Sequence, residues 1–306
     1  MKTHYIPADY LDLYLKQQPF SIEKHLEKLS TQSSNEANPE TSIAKAAVYS
    51  SMIEGNPIDY KKYRKYQSTG IKKESLLYRE TFEIALAKSA FYSATMEGSD
   101  LQLDEYLKYQ FPWMKTNTRY FTEIRELISA YEWAISNSLN IVTFLKTHEI
   151  FSQTLLTKPE YRGKFRMVEA GVYKGRLKIY SATPPARVES EMNKLFADIE
   201  ILIHSNLTAP EVFYFASMIH LVFVHIHPFA DGNGRAARLL EKWFLAQKLG
   251  AAAWYIPSEM LYFERIMSYY QNINIGVDYE HADYDLCMSF LFMLPMSLST
   301  KKLPHV

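Results

Sequence analysis

Between residues 227 and 238 the chain reads His227-Pro-Phe-Ala-Asp-Gly-Asn-Gly-Arg-Ala-Ala-Arg238. One short stretch thus holds an imidazole, a carboxylate, a Gly-Asn-Gly turn and two guanidiniums, and each of these suits a phosphate ester. Gly232 and Gly234 flank Asn233, so the backbone can take the positive-φ conformations that turn successive N–H groups into an anion-binding nest. An apolar run of helical period follows (Leu239, Leu240, Trp243, Phe244) and stops at Gly250. The nest therefore opens a helix, whose positive end adds to its pull on anions. Arg235 and Arg238, three apart, share one face of the first turn and can both reach oxygens held there. Asp231 is a hard oxygen donor, suited to the Mg²⁺ that accompanies a nucleotide polyphosphate. His227 titrates nearest neutrality and is the candidate general base toward a hydroxyl.

These residues resemble the signature HxFx[DE]GNGRxxR of the Fic proteins, with every fixed position filled. The resemblance implies transfer of AMP from ATP to a Ser, Thr or Tyr hydroxyl of a target protein. It makes His227 the base, Asp231 the Mg²⁺ ligand, and Gly232, Asn233 and Gly234 the phosphate cradle. Arg235 would pair with the α- and β-phosphates, Arg238 would hold the γ-phosphate, and Phe229 would anchor the loop in the core. The Doc-like branch, which transfers phosphate, has Lys where this chain has Gly234, so the resemblance favours nucleotidyl transfer.

The elements that must position this stretch read as helices. Residues 1–29 show helical spacing broken at Pro19, and a polar loop follows from Ser30 to Thr41. Glu123 to Ile135, Ile141 to Leu156 and Glu189 to Ile203 are amphipathic. Val212 to Ile226 is apolar nearly all round and should be the buried central helix that gives His227 a rigid mount. His148 reads as a core or helix-surface histidine, because no partners lie at metal-ligand spacing, and His220 and His225 read as satisfied core or supporting groups. Only Gly163 to Tyr180 is β-rich, with a turn at Lys174-Gly175 and Pro184-Pro185 closing it. The expected class is all-α with one small β-hairpin, in the Fic-type bundle that the resemblance implies. By the same resemblance the hairpin, roughly 163–182, is a flap on which the target protein docks by strand addition. After Gly250, Ser258 is a candidate N-cap; the resemblance sets Tyr269 and Tyr270 on the wall of the nucleotide pocket, with core packing the equal alternative.

One segment recurs: Ala44 to Gln67 aligns without gaps on Ala87 to Gln110. Each copy reads as a helix stopped by Gly, followed by a second short helix, and two copies are too few for a solenoid. Both Ser50…Glu54-Gly55 and Ser93…Glu97-Gly98 fit the pattern [ST]xxxE[GN] of the Fic inhibitory helix, whose Glu pairs with the second signature arginine. Such a pairing takes the fork that the γ-phosphate needs. Both glutamates cannot occupy Arg238 at once. The Ser50 copy is nearer in letters and the Ser93 copy nearer in placement, which favours Glu97.

Composition narrows the function classes. The 306 residues carry 34 basic and 34 acidic side chains, so there is no chain-wide electrostatic footprint for nucleic acid or anionic lipid. The run from Val212 to Ile226 is short for a span, the N-terminus leads to no apolar signal core, and Cys287 is the only cysteine. The expectation is a cytoplasmic protein, with a homodimer compatible with the sequence. Three segments are expected: a helical region over 1–110 bearing the duplicated motif, a core over 111–280, and a helix and tail over 281–306. Three functions compete: an AMP transferase using Mg²⁺ and ATP, a hydrolase that removes AMP from a modified protein, and a nucleotide-binding regulatory module without turnover.

Overall fold

A computed structural model describes residues 3–26, 89–96, 119–174 and 177–299. Ser50, Glu54 and Glu97, the short helix expected over Leu103 to Tyr109 and the tail from residue 300 lie outside the described residues. In chain order the described elements are α1 (Leu11–Lys16), the helical residues 89–96, α2 (Arg119–Ser136) and α3 (Ile141–Phe151). The strands β1 (Gly171–Lys174) and β2 (Leu177–Ser181) follow, then α4 (Pro185–His204), α5 (Ala209–Ile226) and α6 (Asn233–Leu249). The short helices α7 (Ser258–Glu264), α8 (Ile266–Asn272), α9 (Met288–Leu291) and α10 (Met293–Met296) complete the list. The chain is an all-α fold carrying one antiparallel hairpin.

Helix starts follow local chemistry. The Asn140 side chain accepts from the N–H groups of Val142 and Thr143, both at 3.0 Å, and so caps α3. At the head of α5, Glu211 reaches back to the Thr208 N–H at 2.7 Å, a capping box that sets where this helix begins. α7 departs from the sequence expectation: its N-cap is Pro257, and Ser258 is already the first helical residue.

α5 is the axis of the fold. Its composition would satisfy the length and hydropathy of a membrane span, but 83% of it is buried inside the protein, where it packs most extensively on α6. A helix without a polar face is stable in water only when covered on all sides, and α4, α6 and α9 supply that cover. Ile6 and Tyr14 near the N-terminus, Ala90 and Phe91 of the 89–96 helix, and Phe290 and Cys287 near the C-terminus all join the same hydrophobic cluster as Phe215 and Leu239. Described residues from each of the three expected segments thus join one core. The first residues are pinned as well: the N–H groups of His4, Tyr5 and Ile6 donate to the buried Asp198 carboxylate at 2.7–2.9 Å.

The hairpin is shorter than the β-rich stretch in the sequence. Gly171 pairs with Ser181 and Lys174 with Leu177, with a bulge between Val172 and Tyr173, while residues 163–170 lead in as irregular chain. Its base is tied down by Ser181, whose N–H donates to the Val277 carbonyl and whose carbonyl accepts from the Tyr279 N–H, both at 3.0 Å.

Candidate active site

The signature begins where α5 ends. His227 is the C-cap of α5, with φ 53°, the only non-glycine at positive φ among the described residues. A left-handed histidine costs about 1 kcal/mol against an ordinary conformation, and it turns the chain out of the helix so that the loop can double back. The loop closes on itself: the Phe229 N–H donates to the Asn233 side-chain oxygen at 2.8 Å, and the Asn233 amide donates to the Phe229 carbonyl at 2.9 Å. Phe229, fully buried, stacks on His148 with ring centroids 3.7 Å apart. The Gly163 N–H donates to His148 Nδ1 at 2.9 Å, so the proton of the neutral ring sits on Nε2, which donates to the Asp231 carbonyl at 3.1 Å. Burial drives the His148 pKa down to about 4 and keeps that tautomer in place near neutrality. Of the two placements expected for His148, core or helix surface, the fold takes the core, where the ring braces the loop.

The glycines divide the work differently from the expectation. Gly232 takes the positive φ, at 81°, and caps α6, whereas Gly234 lies in the first helical turn. A left-handed bend at one residue suffices because α6 starts immediately after it. The loop therefore delivers the head of a helix, whose first N–H groups have no partner in their own ladder. Asn233 contributes through the brace just described, with its side chain turned back into the loop. Asp231 is exposed at the tip, and one of its carboxylate oxygens accepts from the Gly232 N–H at 2.6 Å. No group of three or more His, Cys, Asp or Glu able to hold a metal occurs among the described residues. A lone exposed carboxylate is the donor set to expect where a Mg²⁺ ion arrives with its own phosphate and water ligands.

Gly232 also fixes a stability prediction. A Cβ there would lie 2.8 Å from the Phe151 ring and 3.0 Å from Leu155 Cδ2, on top of the left-handed backbone. Gly232→Ala should destabilise the fold by about 2–4 kcal/mol, strain and overpacking together, read as a lower urea midpoint with an unchanged slope.

Arg238 is fully buried and reaches the 89–96 helix. Its Nε donates to the Ser93 hydroxyl at 2.8 Å and one terminal nitrogen donates to the Ser93 carbonyl at 2.7 Å. The other terminal nitrogen lies 3.4 Å from the Tyr269 hydroxyl. A guanidinium only donates. The Tyr269 proton is thus left for His220 Nε2 at 3.0 Å, and the His220 Nδ1–H for Glu241 at 2.8 Å, which Tyr262 also supports at 2.8 Å. Tyr269 is consequently a core residue at 1% exposure, its hydroxyl serving Arg238, while Tyr270 is 44% exposed and donates to the Met96 carbonyl at 2.8 Å. His225 is likewise buried, bonded to the Ile273 carbonyl and the Tyr180 hydroxyl, and burial lowers its pKa.

One turn beyond Arg238 on α6, Lys242 extends the same contact. Its ammonium donates to Ser89 at 2.9 Å and pairs closely with Glu259, which also accepts from Tyr131 at 2.8 Å. Two cations one turn apart on α6 thus meet two serines one turn apart on the 89–96 helix. The sequence contained no cue for this, since Lys242 reads simply as part of an amphipathic helix. It does discriminate between the repeats: Ser93 has Ser50 as its counterpart, but Ser89 has Ala46. Arg235 is buried beside Arg238.

The part of the chain that carries these residues is similar to known proteins. Residues 138–245 match the Fic/DOC family model. A protein adenylyltransferase Fic of Nematostella vectensis is 31% identical over 115 residues, 37% of this chain and 25% of that protein. This chain therefore aligns with about a quarter of the length of that relative. Among solved structures, a Fic family protein from Desulfovibrio desulfuricans G20 superposes with a TM-score of 0.59 at 21% identity, over 92% of this chain and 75% of that one. A Fic domain containing signaling protein from Bacteroides thetaiotaomicron VPI-5482 gives 0.58 at 18% identity, over 78% of this chain and 92% of that one. The loop braced on Asn233, the helix opening at Gly232 and the histidine at the end of a buried rod all lie within residues 138–245, the part of the chain that is similar to the Fic/DOC family.

Proposed function

We propose that the protein is an adenylyltransferase that moves AMP from ATP to a hydroxyl of a target protein, and that the sequence motif Ser93…Glu97-Gly98, which begins on the 89–96 helix, holds it in check. The supporting observation is the Arg238 guanidinium bonded to both the hydroxyl and the carbonyl of Ser93, the first residue of the Ser93…Glu97-Gly98 motif. In the reaction His227 takes the proton of the acceptor hydroxyl, whose oxygen forms a bond to the α-phosphorus. The bond from that phosphorus to the bridging oxygen breaks, and pyrophosphate leaves. The head of α6 and Arg235 would receive the phosphates, and Asp231 would hold Mg²⁺, which would supply charge neutralisation on them. The hairpin is the docking edge for the target segment.

Arg238 is the point of control, because a guanidinium engaged by the helix is not free to hold the γ-phosphate. Removing the motif carboxylate should release it: Glu97→Gly is expected to raise AMP incorporation at least about tenfold, a coupling of roughly 1.4 kcal/mol. Mass spectrometry of the protein incubated with ATP and Mg²⁺ reads the added adenylate. A rise with Glu54→Gly alone would assign inhibition to the other repeat. AMP released from a pre-modified protein, with no incorporation by any variant, would replace transfer by hydrolysis.

A further inference from the structure

Arg166 is a buried cation, 1% exposed, whose side-chain hydrogen bonds among the described residues go to backbone carbonyls. Its Nε donates to the His227 carbonyl at 2.7 Å and its terminal nitrogens to the carbonyls of Val168 (2.8 Å), Ile226 (3.4 Å) and, closely, Thr183. Its own N–H donates to the Pro228 carbonyl at 2.9 Å. These acceptors come from three places. Ile226 and His227 are the last carbonyls of α5, which the helix itself leaves without partners. Val168 precedes β1 and Thr183 follows β2, so they are the two feet of the hairpin.

We infer that Arg166 is a positioning residue for His227, one guanidinium that fixes the left-handed turn at the histidine and ties it to both feet of the hairpin. The inference rests on the reading of His227 as the base. The direction of the His227 Cα–Cβ bond follows from the orientation of its two flanking peptides. Arg166 holds the carbonyl of the following peptide with its side chain, and the next carbonyl, of Pro228, with its backbone. A cation at the negative end of α5 is also electrostatically favoured there. A lysine in its place keeps the charge but not the planar fork, and cannot serve carbonyls in four directions. The arrangement joins the edge where a target strand would dock to the group that would deprotonate its hydroxyl.

The test uses the full chain and its Glu97→Gly form, each with Arg166→Lys and Arg166→Gln. AMP incorporation should fall about 100-fold in kcat, the usual result of misplacing a catalytic group by about 1 Å. KM for MgATP should stay within about threefold, because Arg166 touches none of the phosphate-binding residues. Guanidinium ion added to Arg166→Ala should restore part of the rate, and ammonium ion should not. Independently of turnover, the His227 ring signal in NMR, assigned by its loss in His227→Asn, should shift in both variants while that of exposed His281 stays in place. If Arg166→Gln does not fold, the lysine variant carries the test. Wild-type kcat together with an unmoved His227 signal overturns the inference. An absence of transfer in every form, with the ring signal shifted, removes the proposed reaction and leaves the positioning role standing.

Discussion

Replacing His227 should reduce AMP transfer by about 10²- to 10⁴-fold, the range for losing a general base, while nucleotide affinity stays near that of the unmodified chain. The two quantities separate because different elements carry them. His227 ends α5, whereas the head of α6, Arg235 and Arg238 belong to the following helix. Asparagine is the better replacement than alanine. The residue sits at φ 53°, a conformation asparagine adopts readily and alanine does not, so His227→Asn removes the imidazole without adding backbone strain. Initial rates of adenylate incorporation, set beside a calorimetric Kd for ATP, decide the matter. A variant that transfers AMP at the wild-type rate would remove His227 from the chemistry. One that loses binding as well would make it part of the nucleotide site.

The sequence carried the chemistry of the 227–238 stretch because that chemistry is local: a glycine, a helix start and the side chains of one turn lie within reach of each other by covalent geometry alone. The helices α2 to α6 were equally legible from their periodicity, since each must turn an apolar face to a common core. Roles stayed hidden where the partner lies far away in sequence. His148 and Arg166 look like ordinary helix and strand residues until the fold brings one to the Asp231 carbonyl and the other to the His227 carbonyl. Gly234 has the freedom of a left-handed residue, but the helix begins before it and the freedom goes unused. Pocket lining and core packing were both open for the tyrosine pair; successive residues of a helix point about 100° apart, so Tyr269 enters the core and Tyr270 faces outward. Thr208 and Glu211 have the Thr-x-x-Glu spacing of a capping box, so the start of α5 is legible from local letters. The two repeats could not be separated by their shared letters. They differ at Ser89 and Ala46, and that difference acquires meaning only once Lys242 is known to face the site.

The largest effect on stability should come from that lysine. Lys242 and Glu259 are buried together, at 0% and 1% side-chain exposure, between α6 and α7. Burying two charges gains little over burying two apolar groups, but removing one of them strands the other. Lys242→Met should therefore cost about 3–5 kcal/mol, measured by urea unfolding, because the Glu259 carboxylate keeps only the Tyr131 hydroxyl at 2.8 Å and a weaker contact to Ser258 at 3.3 Å. Adding Glu259→Gln to Lys242→Met should recover a large part of the loss, since the neutral amide keeps an acceptor for Tyr131 and no charge is left buried. If the single variant is as stable as the parent, the carboxylate has taken up a proton or reached water, and the pair is not what joins α6 to α7. If the double variant recovers nothing, the loss lies in packing of the lysine stem and in its bond to Ser89, which places the weight of the contact on the 89–96 helix instead.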